Sequence, residues 1–192
     1  EEYREELLFF LAAPDRPAPD GNLVALYPPD GEFPFTASTR NPEQKSQQVE
    51  ILHRLLRGSS PFIVVAPAAA VVRKTIPRSV LERSASRLKA GAEIDREALS
   101  LQLVRGGYLK VGVVEDRGDY SIRGGIVDIF PPASAYPIRV DLFGDCIESI
   151  RAFDAATQRS RGELAEAWVA PVSDAILEEE ELAAMVARMK GT

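Results

Sequence analysis

The stretch Asp119–Ser160, DYSIRGGIVDIFPPASAYPIRVDLFGDCIESIRAFDAATQRS, decides how this chain is read. Short runs of branched and aromatic residues alternate with Gly and Pro punctuation. That pattern predicts four strands, Asp119–Arg123, Gly125–Phe130, Ile138–Phe143 and Cys146–Phe153, with Gly144-Asp145 as a tight turn between the last two. Side chains alternate across a strand, so Ile138, Val140 and Leu142 share the face that builds a core. Arg139, Asp141 and Phe143 then point the other way. At about 3.3 Å per residue, Phe143 sits roughly 13 Å from Arg139 along one ridge.

Two charged residues are expected on a solvated face, whereas a phenylalanine is not. Cross-strand packing or a covering loop is one explanation for Phe143. The other is an interface anchor, because arginine and aromatic residues are enriched where proteins dock. Arg123, at a strand end just before Gly124-Gly125, has the reach to join Arg139 and Phe143 in one uncovered patch. Its alternative is a salt bridge to Asp119 or Asp128, of little energetic weight on a surface.

Outward from this stretch the sequence falls into two styles. Towards the N-terminus, residues 1–13 have helical spacing and Leu23–Tyr27 is a short apolar strand. Pro28–Arg40 reads as loop. A helix then begins with Asn41 as cap and Pro42 in the first turn, carries a stripe of Val49, Leu52, Leu55 and Leu56, and stops at Gly58. Phe62–Ala66 has no polar alternation and reads as a strand buried on both faces, after which Pro67 opens a short helix. This order predicts a parallel α/β layer.

From about residue 85 the style changes. Arg87–Gly91 reads as strand and turn, and Asp95 caps a helix that Gly106-Gly107 ends. Tyr108–Val114 and Leu164–Val172 are further strands, and Glu178–Met189 is an amphipathic helix. The second part is therefore expected to be a small α+β domain, an antiparallel sheet with one helix packed on it.

Composition excludes several chemistries. With a net charge of −6, the chain lacks the basic excess of a protein that grips many phosphates. One cysteine, Cys146, and one histidine, His53, supply neither an internal disulfide nor a four-ligand zinc shell, which fits an intracellular setting. No G-x-x-x-x-G-K-[ST] loop occurs, since none of the 13 glycines precedes a lysine. His53 is expected on or partly under a helix surface without a catalytic partner, and Cys146 packed as a small apolar group. Asp128, Asp141, Asp145, Glu148 and Asp154 lie at no metal-loop spacing and read mostly as solvated faces or turn residues. The start EEYREELL is no signal peptide and lacks a methionine, so a piece of a longer protein is expected.

The blocks Arg123–Pro131 (RGGIVDIFP), Arg139–Arg151 (RVDLFGDCIESIR) and Thr157–Ser160 (TQRS) resemble the bacterial transcription-repair coupling factors. The similar region of that family is its N-terminal part, itself similar to the excision-repair helicase UvrB. UvrB more often reads R-G-D-V-V-E-I-F-P and lacks T-Q-R-S, which favours the coupling factors. A fragment of UvrB, an ATP-dependent damage-verification subunit, is the alternative.

The resemblance implies a degenerate helicase-like (RecA-like) α/β domain 1a over 1–85, a UvrB-like domain 2 over 86–170 and the start of domain 1b over 171–192. It implies a non-catalytic, cytoplasmic module of transcription-coupled nucleotide excision repair that recruits UvrA. By motif, the UvrA-contact positions are Arg123, Arg139 and Phe143. No cofactor is implied for this segment, ATP and Mg belonging to a motor elsewhere in such proteins. RNA polymerase and DNA are reached through other domains, no membrane is involved, and a C-terminal domain of the same protein can mask the UvrA surface.

Overall fold

A computed structural model describes residues 2–11, 23–29, 42–58, 62–132, 134–174 and 176. Asn41 as a cap, most of the Pro28–Arg40 loop and the Glu178–Met189 helix lie outside the described residues. The chain divides into two compact units, Glu1–Thr75 and Ile76–Thr192.

In the first unit, α1 (Glu2–Leu11), β1 (Val24–Leu26), α2 (Pro42–Arg57), β2 (Ile63–Val65) and α3 (Ala68–Val71) follow one another. β1 and β2 pair in parallel, Val24 opposite Ile63, as the apolar runs predict. α2 is fastened to β1 and the residues after it through amide side chains: Gln47 donates to the Leu26 carbonyl at 3.1 Å and Gln48 to that of Pro28 at 2.8 Å.

Two expectations fail here. β2 is not buried on both faces, since Ile63 is exposed and Val64 and Val65 are half-buried. Among the described residues β2 has one strand neighbour, so nothing completes its cover. The α2 stripe is also displaced: Leu55 is exposed, while Gln48, Val49, Ile51 and His53 are buried.

The second unit contains α4 (Arg78–Ser84), β3 (Ser86–Lys89), α5 (Arg96–Arg105), β4 (Leu109–Lys110), β5 (Asp119–Arg123), β6 (Ile126–Ile129), β7 (Ile138–Phe143), β8 (Cys146–Phe153), β9 (Ser160–Leu164) and β10 (Glu166–Val169). Asp95 caps α5 as its position predicts, accepting from the Glu97 and Ala98 amides at 2.9 and 3.0 Å. Six strands form one sheet in the order β4-β5-β6-β7-β8-β9, and β10 pairs separately with β3. Inner-face residues Tyr120, Val127, Ile129, Ile138, Val140, Ile147 and Ile150 pack with Leu99 and Leu103 of α5 and with Leu88, Ala167 and Val169 of the β3–β10 pair. A sheet with one apolar face needs such a cover, and one amphipathic helix plus a hairpin-like pair supplies it.

The sheet is not wholly antiparallel. Tyr108–Val114 does not form one long strand; only Leu109–Lys110 joins the sheet, and it runs parallel to β5. The chain then leaves the sheet edge. Val114 is buried against Phe130 and Phe153, and the Ser121 hydroxyl donates to the Gly112 carbonyl at 3.2 Å. Val111 still donates its amide to the Tyr120 carbonyl at 2.9 Å, and burial of Val114 holds residues 112–114 over the outer face instead of in register with β5. The expected strand Leu164–Val172 is likewise split, β9 finishing the sheet and β10 turning to β3. Tyr108, buried, donates its hydroxyl to the Ala170 carbonyl at 2.6 Å and so closes the end of α5 against the segment after β10. Burial pushes that phenol above its ordinary range.

His53 is lowered to about 4, first by desolvation and then by the nearby Arg57 charge. A depressed histidine favours the folded chain above the unfolded pKa near 6.5, and that advantage is lost as pH falls from about 6.5 towards 4. Because the chain has one histidine, its ring-proton NMR signal reports this directly. The signal should hold its neutral position to about pH 5 in the folded protein, and a midpoint near 6.5 would contradict the burial described.

Candidate protein-interaction face

The outer face of the six-stranded sheet is a ladder of polar pairs. Register places Ser121 opposite Asp128, Asp128 opposite Arg139, Arg139 opposite Arg151, and Arg151 opposite Glu163. The next row sets Arg123 beside Ile126, Ile126 beside Asp141, and Asp141 beside Ser149. A third row is Phe143 beside Cys146. The pairing of β7 with β8 slips between Asp141 and Leu142, with Ser149 opposite one and Ile147 opposite the other. The extra residue, Glu148, therefore belongs to β8, and β7 keeps its alternation. Phe143 consequently stays on the face of Arg139 and Asp141.

Phe143 is 81% exposed, so neither cross-strand packing nor a loop covers it among the described residues. Of the three residues singled out from the sequence, it is the one that stands as uncovered as expected. Arg123 is half-exposed, and its Nη2 donates to Asp128 at 2.7 Å. Asp119, the other partner weighed for Arg123, is engaged elsewhere: its carboxylate accepts from the Glu115 and Asp116 amides.

Arg139 departs from expectation. Its side chain is 17% exposed and forms a two-pronged pair with Asp128, Nε to Oδ1 at 2.7 Å and Nη2 to Oδ2 at 2.9 Å. The guanidinium lies 4.5 Å above the Phe153 ring and also donates to Gln158 Oε1 at 3.2 Å. The hydrogen bond to Asp128 raises its pKa further above the arginine range. Arg139 and Phe143 thus share a face but do not stand uncovered together.

Asp128 is the larger correction. Read from the sequence as mostly solvated, it is fully buried, with both oxygens engaged by two arginines. The reason lies in cross-strand register, which puts Arg139 directly opposite, and in the 112–114 segment that lies over the adjoining Ser121.

Gln158 also escaped the sequence reading. It adopts φ 58°, a left-handed conformation uncommon for a residue with a side chain, and its Nε2 donates to the Val114 and Ala155 carbonyls at 3.1 and 2.7 Å. Asp154 holds that turn, accepting from the Thr157 amide at 2.9 Å and its hydroxyl at 3.0 Å; these bonds hold its carboxyl below the usual range. The signals available in the sequence were a charged residue inside the apolar run Ile126–Ile129 and the compact DAATQ turn.

The glycine pair after Arg123 meets two separate demands. Gly124 sits at φ 60°, as the β5–β6 turn requires, and its carbonyl accepts from Arg96 Nη1 of α5 at 2.8 Å. Gly125 lies so close to β7 that an added Cβ would meet the Leu142 carbonyl oxygen at 2.7 Å. Among the described residues no group of three or more His, Cys, Asp or Glu is placed to hold a metal ion, and no helix is long and apolar enough to cross a membrane. The face has the chemistry of a docking surface, with one bare aromatic ring and one half-free cation over a fixed polar layer.

The two β7 residues are expected to differ sharply on mutation. Arg139→Ala leaves a buried carboxylate with only Arg123 beside it and should lose about 3 kcal/mol of stability in chemical denaturation. Phe143→Ala removes an exposed ring and should change stability by less than about 0.5 kcal/mol. Equal stabilities for the two variants would contradict the described geometry. Gly125→Ala should destabilise the second unit by more than about 1 kcal/mol, read from the same unfolding curves, because backbone must shift to admit the methyl.

Residues 87–174 match the sequence profile of the UvrB interaction domain. The chain is 36% identical over 160 residues to the transcription-repair-coupling factor of Bacillus subtilis (strain 168), covering 83% of this chain and 14% of that protein. It is 34% identical over 179 residues to the transcription-repair-coupling factor of Myxococcus xanthus, covering 91% and 14%. Against that of Staphylococcus aureus (strain MSSA476) the identity is 33% over 171 residues, covering 89% and 14%. The chain spans about 14% of the length of these relatives. It is therefore a homologue of one segment of the transcription-repair-coupling factors, with the UvrB interaction domain profile matched over residues 87–174.

Proposed function

We propose that this chain is a non-catalytic recruitment module of transcription-coupled nucleotide excision repair, whose second unit docks UvrA through the outer face of its sheet. The observation that carries the reading is Phe143, a phenylalanine 81% exposed on the same sheet face as the half-exposed Arg123, two strands away and one cross-strand row apart. Exposed aromatics with a neighbouring arginine are the usual anchors of protein interfaces. Burying such a ring contributes about 2 kcal/mol or more. Arg139 contributes to the same site with whatever part of its guanidinium edge Asp128 and Gln158 leave open.

In this reading residues 1–85 are the back part of a degenerate, RecA-like domain 1a, 86–170 are domain 2, and 171–192 begin domain 1b. ATP, Mg, DNA and RNA polymerase are handled by other parts of the longer protein, and a C-terminal domain of that protein covers the Phe143 face until UvrA competes for it. The alternative parent, UvrB, is less favoured because the similar proteins named above are all coupling factors.

A binding titration of the chain against purified UvrA tests the proposal. Phe143→Ala should weaken binding about 30-fold, the equivalent of about 2 kcal/mol, with an unchanged unfolding curve. Arg123→Ala should weaken it more at low than at high salt, since a half-solvated cation is screened. Unaltered affinity in the Phe143 variant would remove this face from consideration.

A further inference from the structure

We propose that Asp128 is a positioning residue for docking: from beneath the outer face it fixes the direction of Arg123 without touching the partner itself. This deepens the UvrA reading and rests on it. The carboxylate is fully buried, so no partner reaches it. Its Oδ2 nevertheless takes hydrogen bonds from both arginines, at 2.7 Å from Arg123 and 2.9 Å from Arg139, while Oδ1 takes the second prong of Arg139 at 2.7 Å.

Two cations drawn to one anion leave one unbalanced positive charge in this triad. That charge is not shared evenly. Arg139 is held on three sides, by Asp128, by Gln158 and by the Phe153 ring. Arg123 is held by one nitrogen only among the described residues and keeps half its surface open. Asp128 therefore selects Arg123 as the cation that presents free N–H donors outward. It also ties the end of that side chain to the sheet, instead of leaving it to sweep through solvent. A long side chain fixed before encounter loses less rotamer freedom on binding. The surface then fits a partner that offers an apolar socket for the ring and a single carboxylate or carbonyl acceptor nearby.

A double-mutant cycle tests this. Asp128→Asn, Arg123→Ala and the pair are titrated against purified UvrA beside the unaltered chain, with folding checked by NMR amide spectra. Asp128→Asn is expected to weaken binding about tenfold where Arg123 is present and less than twofold where Arg123 is alanine, because the effect passes through Arg123. A slab that merely supports the sheet would give the same loss in both backgrounds, and that result overturns the proposal, as does Asp128→Asn binding with wild-type affinity. Should Asp128→Asn not fold, Asp128→Glu, which keeps the charge on a longer arm, is run through the same cycle and judged by the same inequality. If the unaltered chain itself fails to bind UvrA, the docking reading falls and this proposal with it; an additive cycle in a chain that does bind UvrA removes the role of Asp128 alone.

Discussion

One buried carboxylate organises the outer face of the second unit. Asp128 has no exposed surface, and a charge so placed is tolerated only when it is paired and hydrogen-bonded. Arg139 meets that demand with a two-pronged bond and Arg123 adds a third. Neighbouring features follow from the same need. The Phe153 ring gives the Arg139 guanidinium a flat seat, and Gln158 Oε1 accepts from the same Nη2 that meets Asp128. The left-handed backbone at Gln158 is the cost of aiming that amide, and Asp154 offsets it by tying the turn through Thr157.

The same face is therefore closed at one end and open at the other. Towards Phe153, with Phe130 and Val114, it has its own small apolar cluster, sealed by the 111–114 segment. Towards the β7–β8 turn, Phe143 lies bare, with half-exposed Arg123 on the same face two strands away. The Asp128–Arg139–Gln158 pairs thus form a fixed polar layer next to an uncovered ring. The bulge on β8 matters because it absorbs the extra residue without shifting β7, so Phe143 remains on the outer side.

The inner face is bound by more ordinary forces. Apolar residues from the four strands β5 to β8, Leu99 and Leu103 of α5, and the β3–β10 pair close one apolar layer. Two contacts join that layer to the outer face. Arg96 reaches from the first turn of α5 to the Gly124 carbonyl, and Gly125 lets the β5–β6 turn approach the Leu142 backbone. The position of Arg123 thus depends on packing beneath it as well as on the charge beside it.

The sequence alone determined what short-range rules govern. Strand alternation put Ile138, Val140 and Leu142 on one side and Phe143 on the other, and the cap at Asp95 and the Gly144 turn follow from local backbone preferences. The parallel pairing of β1 and β2 was likewise legible in the apolar runs. Tertiary structure decided what depends on residues distant along the chain. The exposure of Arg139 turned on Asp128, eleven positions earlier, and on Gln158, nineteen later. Burial of Asp128, of Gln48 and of His53 was invisible because no local pattern tells whether another segment will lie across a polar side chain. The departure of residues 112–114 from the sheet had the same origin, since the pull on Val114 came from Phe130 and Phe153 and not from its own neighbours. Local backbone chemistry sets which way a side chain points; whether water still reaches it is set by what the rest of the chain packs over it.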